Sequence, residues 1–225
     1  MRRLEVDEIE LPEFKYILGI PPDKLFKANE APEWLNQIKE SEKYSSKGEK
    51  ICISLKAYLD RGIINPFQQI IIFFCNKLQN EVRSLNGIND YFSSDADLVN
   101  FFLEPLLQRF EYNVRRAVVL EVNSLRLLGM LDGDNPSKRF QSFSRSFEDH
   151  EARIKFLKKY PVLARYAVKE FSLWCDASTE FLTNLSNDWS HITQKFGLDP
   201  SEKLSTIQPS GDTHNDGRSV VVISF

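Results

Sequence analysis

The chain has 225 residues, 42% of them hydrophobic and 27% charged, a balance that excludes a disordered tail and fits one large domain or two small ones. A net charge of -3 excludes bulk electrostatic binding to nucleic acid. Three cysteines, Cys52, Cys75 and Cys175, are widely spaced and odd in number, which excludes a disulfide framework or a paired-cysteine zinc site and points to a reducing compartment.

The N-terminus, Met1-Arg2-Arg3-Leu4-Glu5, lacks the apolar run of a signal peptide. The most apolar stretch, Ile70 to Cys75, is far shorter than the ~20 residues a membrane span needs. A cytoplasmic protein is expected. Asn65-Pro66 reads as a helix start, asparagine capping and proline at the first helical position. Gly87 reads as its end, which makes a helix of about 31 Å. Ile70, Phe73, Phe74 and Leu78 share one side of it, widened by Ile71 and Ile72, so burial is expected.

Any of Ser93, Ser94 and Asp95 can cap the next helix, which carries Leu98, Phe101, Phe102 and Leu106. Pro105 lies inside it and predicts a break or kink. A further helix carries Val114, Val118, Glu121, Val122, Leu125 and Leu128 and stops between Gly129 and Gly133. Asn135-Pro136 repeats the cap-then-proline pattern, with Phe140, Phe143 and Phe147 following at helical spacing. Tyr160-Pro161 marks a boundary, because the residue before proline is pushed out of helical geometry. From Pro161 the stripe Ala167, Phe171, Trp174, Ser178, Phe181, Leu185, Trp189, Ile192 and Phe196 predicts one rod of about 54 Å, stopped by Gly197. These aromatic stripes read as core.

Asp199 to Arg218 is polar and reads as a loop. Ser219 to Phe225 is β-branched and reads as a lone strand, which cannot satisfy its edges. The fold class is therefore mainly α, a helical block with a short C-terminal β element. The chain reads as a truncated piece whose sheet is missing. The exposed strand predicts association, relieved by removing residues 219–225.

Gly211-Asp212-Thr213-His214-Asn215-Asp216-Gly217-Arg218 concentrates ionisable groups and glycines. Three readings stand: a solvated polar turn; a metal site using the alternating Asp212, His214 and Asp216; and a phosphate-approaching loop in which glycines admit the anion while His214 and Arg218 donate. Gly-Asp-x-His is also similar to the first metal block of calcineurin-like phosphoesterases, but it precedes its strand, Asn215 replaces a glycine, and later blocks are lacking. His150 and His191 read as surface or satisfied helical positions. Lys155, Lys158, Lys159, Arg165 and Lys169 form a basic cluster, by default a solvated face and otherwise a surface for an acidic peptide or nucleotide. The cysteines read as inert buried thiols.

Three segments carry a family resemblance. Arg116 to Phe140 resembles the "LELN-x-x-R-L-x-G-x-L-x-GD-x-P-x-x-RF" segment of class II lanthipeptide synthetases, Phe156 to Arg165 their "YPVLAR" segment with Trp174 following, and Gly211 to Val220 their "GD-x-H-x-x-GR-x-V" segment. Order and spacing agree from about residue 50 onward. The resemblance implies the N-terminal part of a dehydratase that phosphorylates serine and threonine of a ribosomal precursor peptide with ATP and Mg2+, then eliminates phosphate. It implies a helical region over residues 1–198, and a loop and first strand of a truncated kinase-like small lobe over 199–225. It places Asp212 and His214 at the phosphorylation site, and Gly211, Gly217 and Arg218 at the nucleotide; no metal ligand is assigned. A "YKPR" segment with its phosphate-contacting lysine is not found within these residues, so the chain alone is expected to be silent and to hold no cofactor. Its expected partners are the precursor peptide and a second chain supplying the rest of the synthetase, with no nucleic acid and no membrane span. The alternative is a non-catalytic helical module that binds a peptide or complements another chain.

Overall fold

A computed structural model describes residues 33–43, 53–85, 95–199, 203–204, 206–214 and 218–224. The described helices are α1 (Glu33–Lys43), α2 (Ile53–Arg61), α3 (Gln68–Arg83), α4 (Asp95–Leu127), α5 (Pro136–Ser146), α6 (His150–Lys159) and α7 (Pro161–Phe196). A hairpin follows, β1 (Thr206–His214) antiparallel to β2 (Arg218–Ser224). The class is mainly α with a C-terminal β element, as the pattern predicts. Among the described residues no helix is long and apolar enough to cross a membrane.

The long rod forms as expected. Pro161 opens α7, 36 residues run without interruption, and Gly197 ends it at φ 63. Ala164, Ala167, Val168, Phe171, Cys175, Ser178, Leu182 and Leu185 make its buried stripe. That stripe packs chiefly on α3, whose Ile70, Ile71, Phe74, Leu78 and Val82 are buried. Thr179 donates to Glu81 at 2.7 Å across the same contact. Phe110 of α4 meets Phe171 edge-on at 5.1 Å and Phe67 at 5.2 Å, and Phe67 also meets Phe156 at 5.8 Å. Edge-to-face rings thus join α4, α6 and α7 to the turn before α3. At the far end of α7 the aromatic stripe leaves the core: Phe196 is 70% exposed.

Four expectations are corrected. Asn65 does not cap α3. Asn65–Phe67 is a 3-10 turn, α3 begins at Gln68 and has 16 residues, and Asn65 Nδ2 instead donates to Ser144 Oγ of α5 at 2.6 Å. Ser144 is close there because Gly62 (φ 83), after α2, has no side chain: a Cβ on it would stand 2.6 Å from Ser144 Oγ. Gly87 lies outside the described residues.

Second, α4 continues through Pro105 for 33 residues. Proline removes an N–H from the ladder and frees carbonyls one turn back. Pro105 deprives the Phe101 carbonyl of its partner, and Trp174 Nε1 of α7 donates to the neighbouring Phe102 carbonyl at 3.0 Å, tying α7 to the same turn. Third, the run after Asn135 is two helices. Asn135 caps α5 through the Lys138 N–H at 2.9 Å, but Asp149 caps a separate α6 through the Ala152 N–H at 3.0 Å.

Fourth, the C-terminal strand is not alone. Part of the segment read as a loop is β1, with Thr206 opposite Ser224 and Ser210 opposite Val220. Ile223 packs against the core, whereas Val220 and Val222 are exposed. Deleting residues 219–225 would therefore orphan β1, and a substitution is the cleaner probe of association. Val222→Lys places a charge on the exposed side of an edge strand and is expected to lower self-association with helicity unchanged. Sedimentation velocity checks this; a variant that associates like the parent would exonerate the hairpin.

Cys75 and Cys175 are buried thiols and form no disulfide. Burial pushes the Cys175 thiol up to about 12. Iodoacetamide followed by peptide mapping at pH 8 is expected to leave both unlabelled in the folded protein and to label both in denaturant. Rapid native labelling of Cys175 would refute its burial. Cys52 lies outside the described residues.

Candidate functional site

Gly211, Asp212 and His214 lie on β1 and Arg218 on β2; Asn215, Asp216 and Gly217 lie outside the described residues. The register brings His214 opposite Arg218. Between the Ser210↔Val220 and His214↔Arg218 pairs, β1 uses more residues than β2, so Gly211-Asp212-Thr213 forms an irregularity in the ladder. Extra residues on one strand bend it and re-aim its side chains, and such bulges occur beside active sites. Gly211 is the residue type that tolerates this geometry, and Pro209 just before it has no N–H to lose. The hairpin itself rests on α4.

The first two family-like segments meet in space. Glu121 of α4 is buried and accepts from Lys159 Nζ at 2.6 Å and from Tyr160 Oη at 2.5 Å. Burial, then the Glu121 carboxylate, pushes the Tyr160 hydroxyl up to about 12. It therefore stays protonated and donates throughout the neutral range. This junction fixes the corner between α6 and α7 against α4. Sequence reasoning counted Glu121 in a core stripe without assigning it a partner; a carboxylate among Val118, Val122 and Leu125 was the signal.

The remaining candidates separate. His150 Nδ1 lies 2.7 Å from Glu42, whose carboxylate Arg153 also holds, so it is a satisfied position. His191 is exposed on α7. Lys155, Lys158, Lys159, Arg165 and Lys169 are all exposed, and Lys159 is committed to Glu121. Cys75 and Cys175 are buried in the helical core and serve packing.

Residues 160–225 match a family described as "Domain of unknown function (DUF4135)". The stretch begins at Tyr160 and takes in the hairpin. The "Lacticin 481/lactococcin biosynthesis protein LcnDR2" of Lactococcus lactis subsp. lactis is 24% identical over 110 residues, which are 48% of this chain and 12% of that protein. The match spans about an eighth of the relative's length. Both likenesses point to the family that the sequence segments resemble, and the chain resembles the class II lanthipeptide synthetases.

Proposed function

We propose that this chain is the N-terminal part of a lanthipeptide synthetase dehydratase. In complete form that enzyme phosphorylates serine and threonine of a precursor peptide and eliminates phosphate to leave dehydroamino acids. The observation that carries the reading is the likeness to a lantibiotic-biosynthesis protein in a chain whose Gly211–Arg218 segment lies within the family-matched stretch. Residues 1–198 are the helical region of the dehydratase, and 199–225 open its kinase-like lobe.

Asp212 and His214 act at the phosphorylation site. Gly211 lets the backbone approach phosphate, and Gly217 and Arg218 shape and charge the same loop. A bulged strand with His214 opposite Arg218 is compatible with an anion-facing hairpin. ATP with Mg2+ supplies the transferred phosphoryl group and its charge neutralisation. Phosphoryl transfer relies on positioning and on lysine and metal contacts. Other segments of the synthetase provide those, in the same polypeptide or from a second chain.

The test is peptide mass after incubation with ATP, Mg2+ and a cognate precursor. This chain alone is expected to leave the peptide unchanged. Combined with the remaining synthetase segments it is expected to yield phosphorylated and dehydrated peptide. Product from the chain alone, or none from the combination, overturns the reading. A non-catalytic peptide-binding or chain-complementing module is the second reading, favoured by Tyr112, Leu120 and Leu127, which stand exposed on one side of α4.

A further inference from the structure

Four hydrogen bonds cross between α4 and α7. Trp174 Nε1 donates to the Phe102 carbonyl at 3.0 Å, Arg109 Nη2 to Glu170 at 2.9 Å, Asn113 Nδ2 to Tyr166 Oη at 2.6 Å, and Tyr160 Oη to Glu121 at 2.5 Å. Along α4 the order is Phe102, Arg109, Asn113, Glu121, and the partners run the other way, Trp174, Glu170, Tyr166, Tyr160. The bonds are rungs of one antiparallel ladder, about 28 Å long on α4. Glu121, Tyr160 and Trp174 lie in or directly after the first two family-like segments, and the proposed function leaves them without a task beyond folding.

Such rungs carry position more than strength. Apolar ridges of two helices fit grooves that recur every turn, so they discriminate weakly between settings one turn apart. A polar rung discriminates, because a displaced donor or acceptor loses its partner. Glu121 is 6% exposed, and a shift of one turn would leave its carboxylate without Tyr160 and Lys159. Polar groups between helices are best attested as setting register. The Arg109–Glu170 rung is partly exposed and adds little stability of its own.

The hairpin depends on both helices. β1 rests on α4, and the chain arrives at β1 from the end of α7, with Phe196 as the last helical residue and Thr206 as the first of the strand. Leu204 is buried just before β1, and Ile223 of β2 packs against the core. So α4 is the seat of the hairpin and α7 its tether. Where seat and tether stand relative to one another sets where Asp212 and His214 stand, although none of the four rungs includes a hairpin residue.

We infer that the α4–α7 ladder positions the hairpin, with Glu121, Tyr160, Tyr166 and Glu170 as positioning residues for the phosphorylation site. The chemistry at that site rests on the proposed function. The placement of the hairpin rests on the ladder alone.

The first test uses the full 225-residue chain with Cys52→Ser. Nitroxides on Arg116→Cys of α4 and Val222→Cys of β2, both exposed positions, report the place of the hairpin by double electron–electron resonance. Tyr160→Phe with Tyr166→Phe is expected to shift or broaden the distance distribution while circular dichroism stays unchanged. Glu170→Arg, which sets two cations against each other, is expected to do the same, and Arg109→Glu with Glu170→Arg to reverse it. Should the phenylalanine pair lose helicity, the charge pair decides alone. Distributions indifferent to these variants, or a charge swap that reverses nothing, overturn the inference. In a complete synthetase, Glu170→Arg is expected to lower kcat for peptide dehydration roughly tenfold or more, with KM for the peptide within about twofold of the parent and the swap restoring the rate. An unchanged kcat, or a change confined to KM, also overturns it. A parent synthetase that makes no dehydrated peptide removes the proposed function instead, and the distance measurement still decides the ladder.

Discussion

Asp212→Ala or His214→Ala, introduced into a complete synthetase, is expected to lower peptide dehydration roughly a hundred- to a thousandfold with the melting temperature unchanged. The reasoning starts from the two ways such a segment behaves. A solvated surface position tolerates substitution within about 0.5 kcal/mol of stability and without loss of rate. A group aimed at charge that develops during reaction costs about 2.7–4 kcal/mol of transition-state stabilisation when removed. Asp212 falls in the ladder irregularity of β1, and His214 stands opposite Arg218 immediately after it. Both lie on the hairpin strand β1 and not on a helix, so the stability of the helical block is set elsewhere. Ser210→Ala, at the last regular pair before the irregularity, serves as the control and is expected to keep its rate. Near-normal dehydration in both the Asp212 and His214 variants would return the segment to a solvated turn.

The largest single effect on stability is expected at Glu42. Its side chain is 4% exposed and that of Arg153 is 7% exposed. The guanidinium reaches Glu42 through Nε and Nη2, and the Phe147 and Glu148 carbonyls through Nη1 at 2.8 and 3.0 Å. Removing one partner of a buried pair leaves an uncompensated charge, at a cost of about 3–5 kcal/mol. Glu42→Ala is expected to lose that much in urea unfolding. Glu42→Leu combined with Arg153→Met is expected to recover most of it, because the desolvation penalty disappears with both charges. A Glu42→Ala protein within 1 kcal/mol of the parent would mean that water reaches Arg153 and that the pair is not sealed.

How far the sequence could be read depended on where each residue finds its partner. Pro161 and Gly197 act on their own backbone, so the ends of α7 were legible, as was the Asn135 cap of α5. Asn65 carries the same local signal and fails it. Its amide is claimed by Ser144, 79 residues away, and no local pattern encodes that. Pro105 predicted a break or kink, and α4 shows no break there; the bond from Trp174 on another helix to the same turn is likewise not encoded locally. Asp149 was a readable cap hidden directly behind the helically spaced Phe140, Phe143 and Phe147. In the hairpin, Pro209 and Gly211 hid β1, because both are poor strand formers that survive at irregular or edge positions. The candidate residues were legible as types, and the His214–Arg218 register was not.

The packing of α7 on α3 has a consequence during synthesis. Thr179 and Glu81, which bond across that contact, are 98 residues apart. At an elongation rate of about 5–20 residues per second, the sealing helix follows by roughly 5–20 s. For that interval Ile70, Ile71, Phe74 and Leu78 leave the ribosome without their principal cover. An apolar helix bare for seconds is a target for holdase chaperones, so the yield of this chain in a cell should depend on them more than its finished stability would indicate.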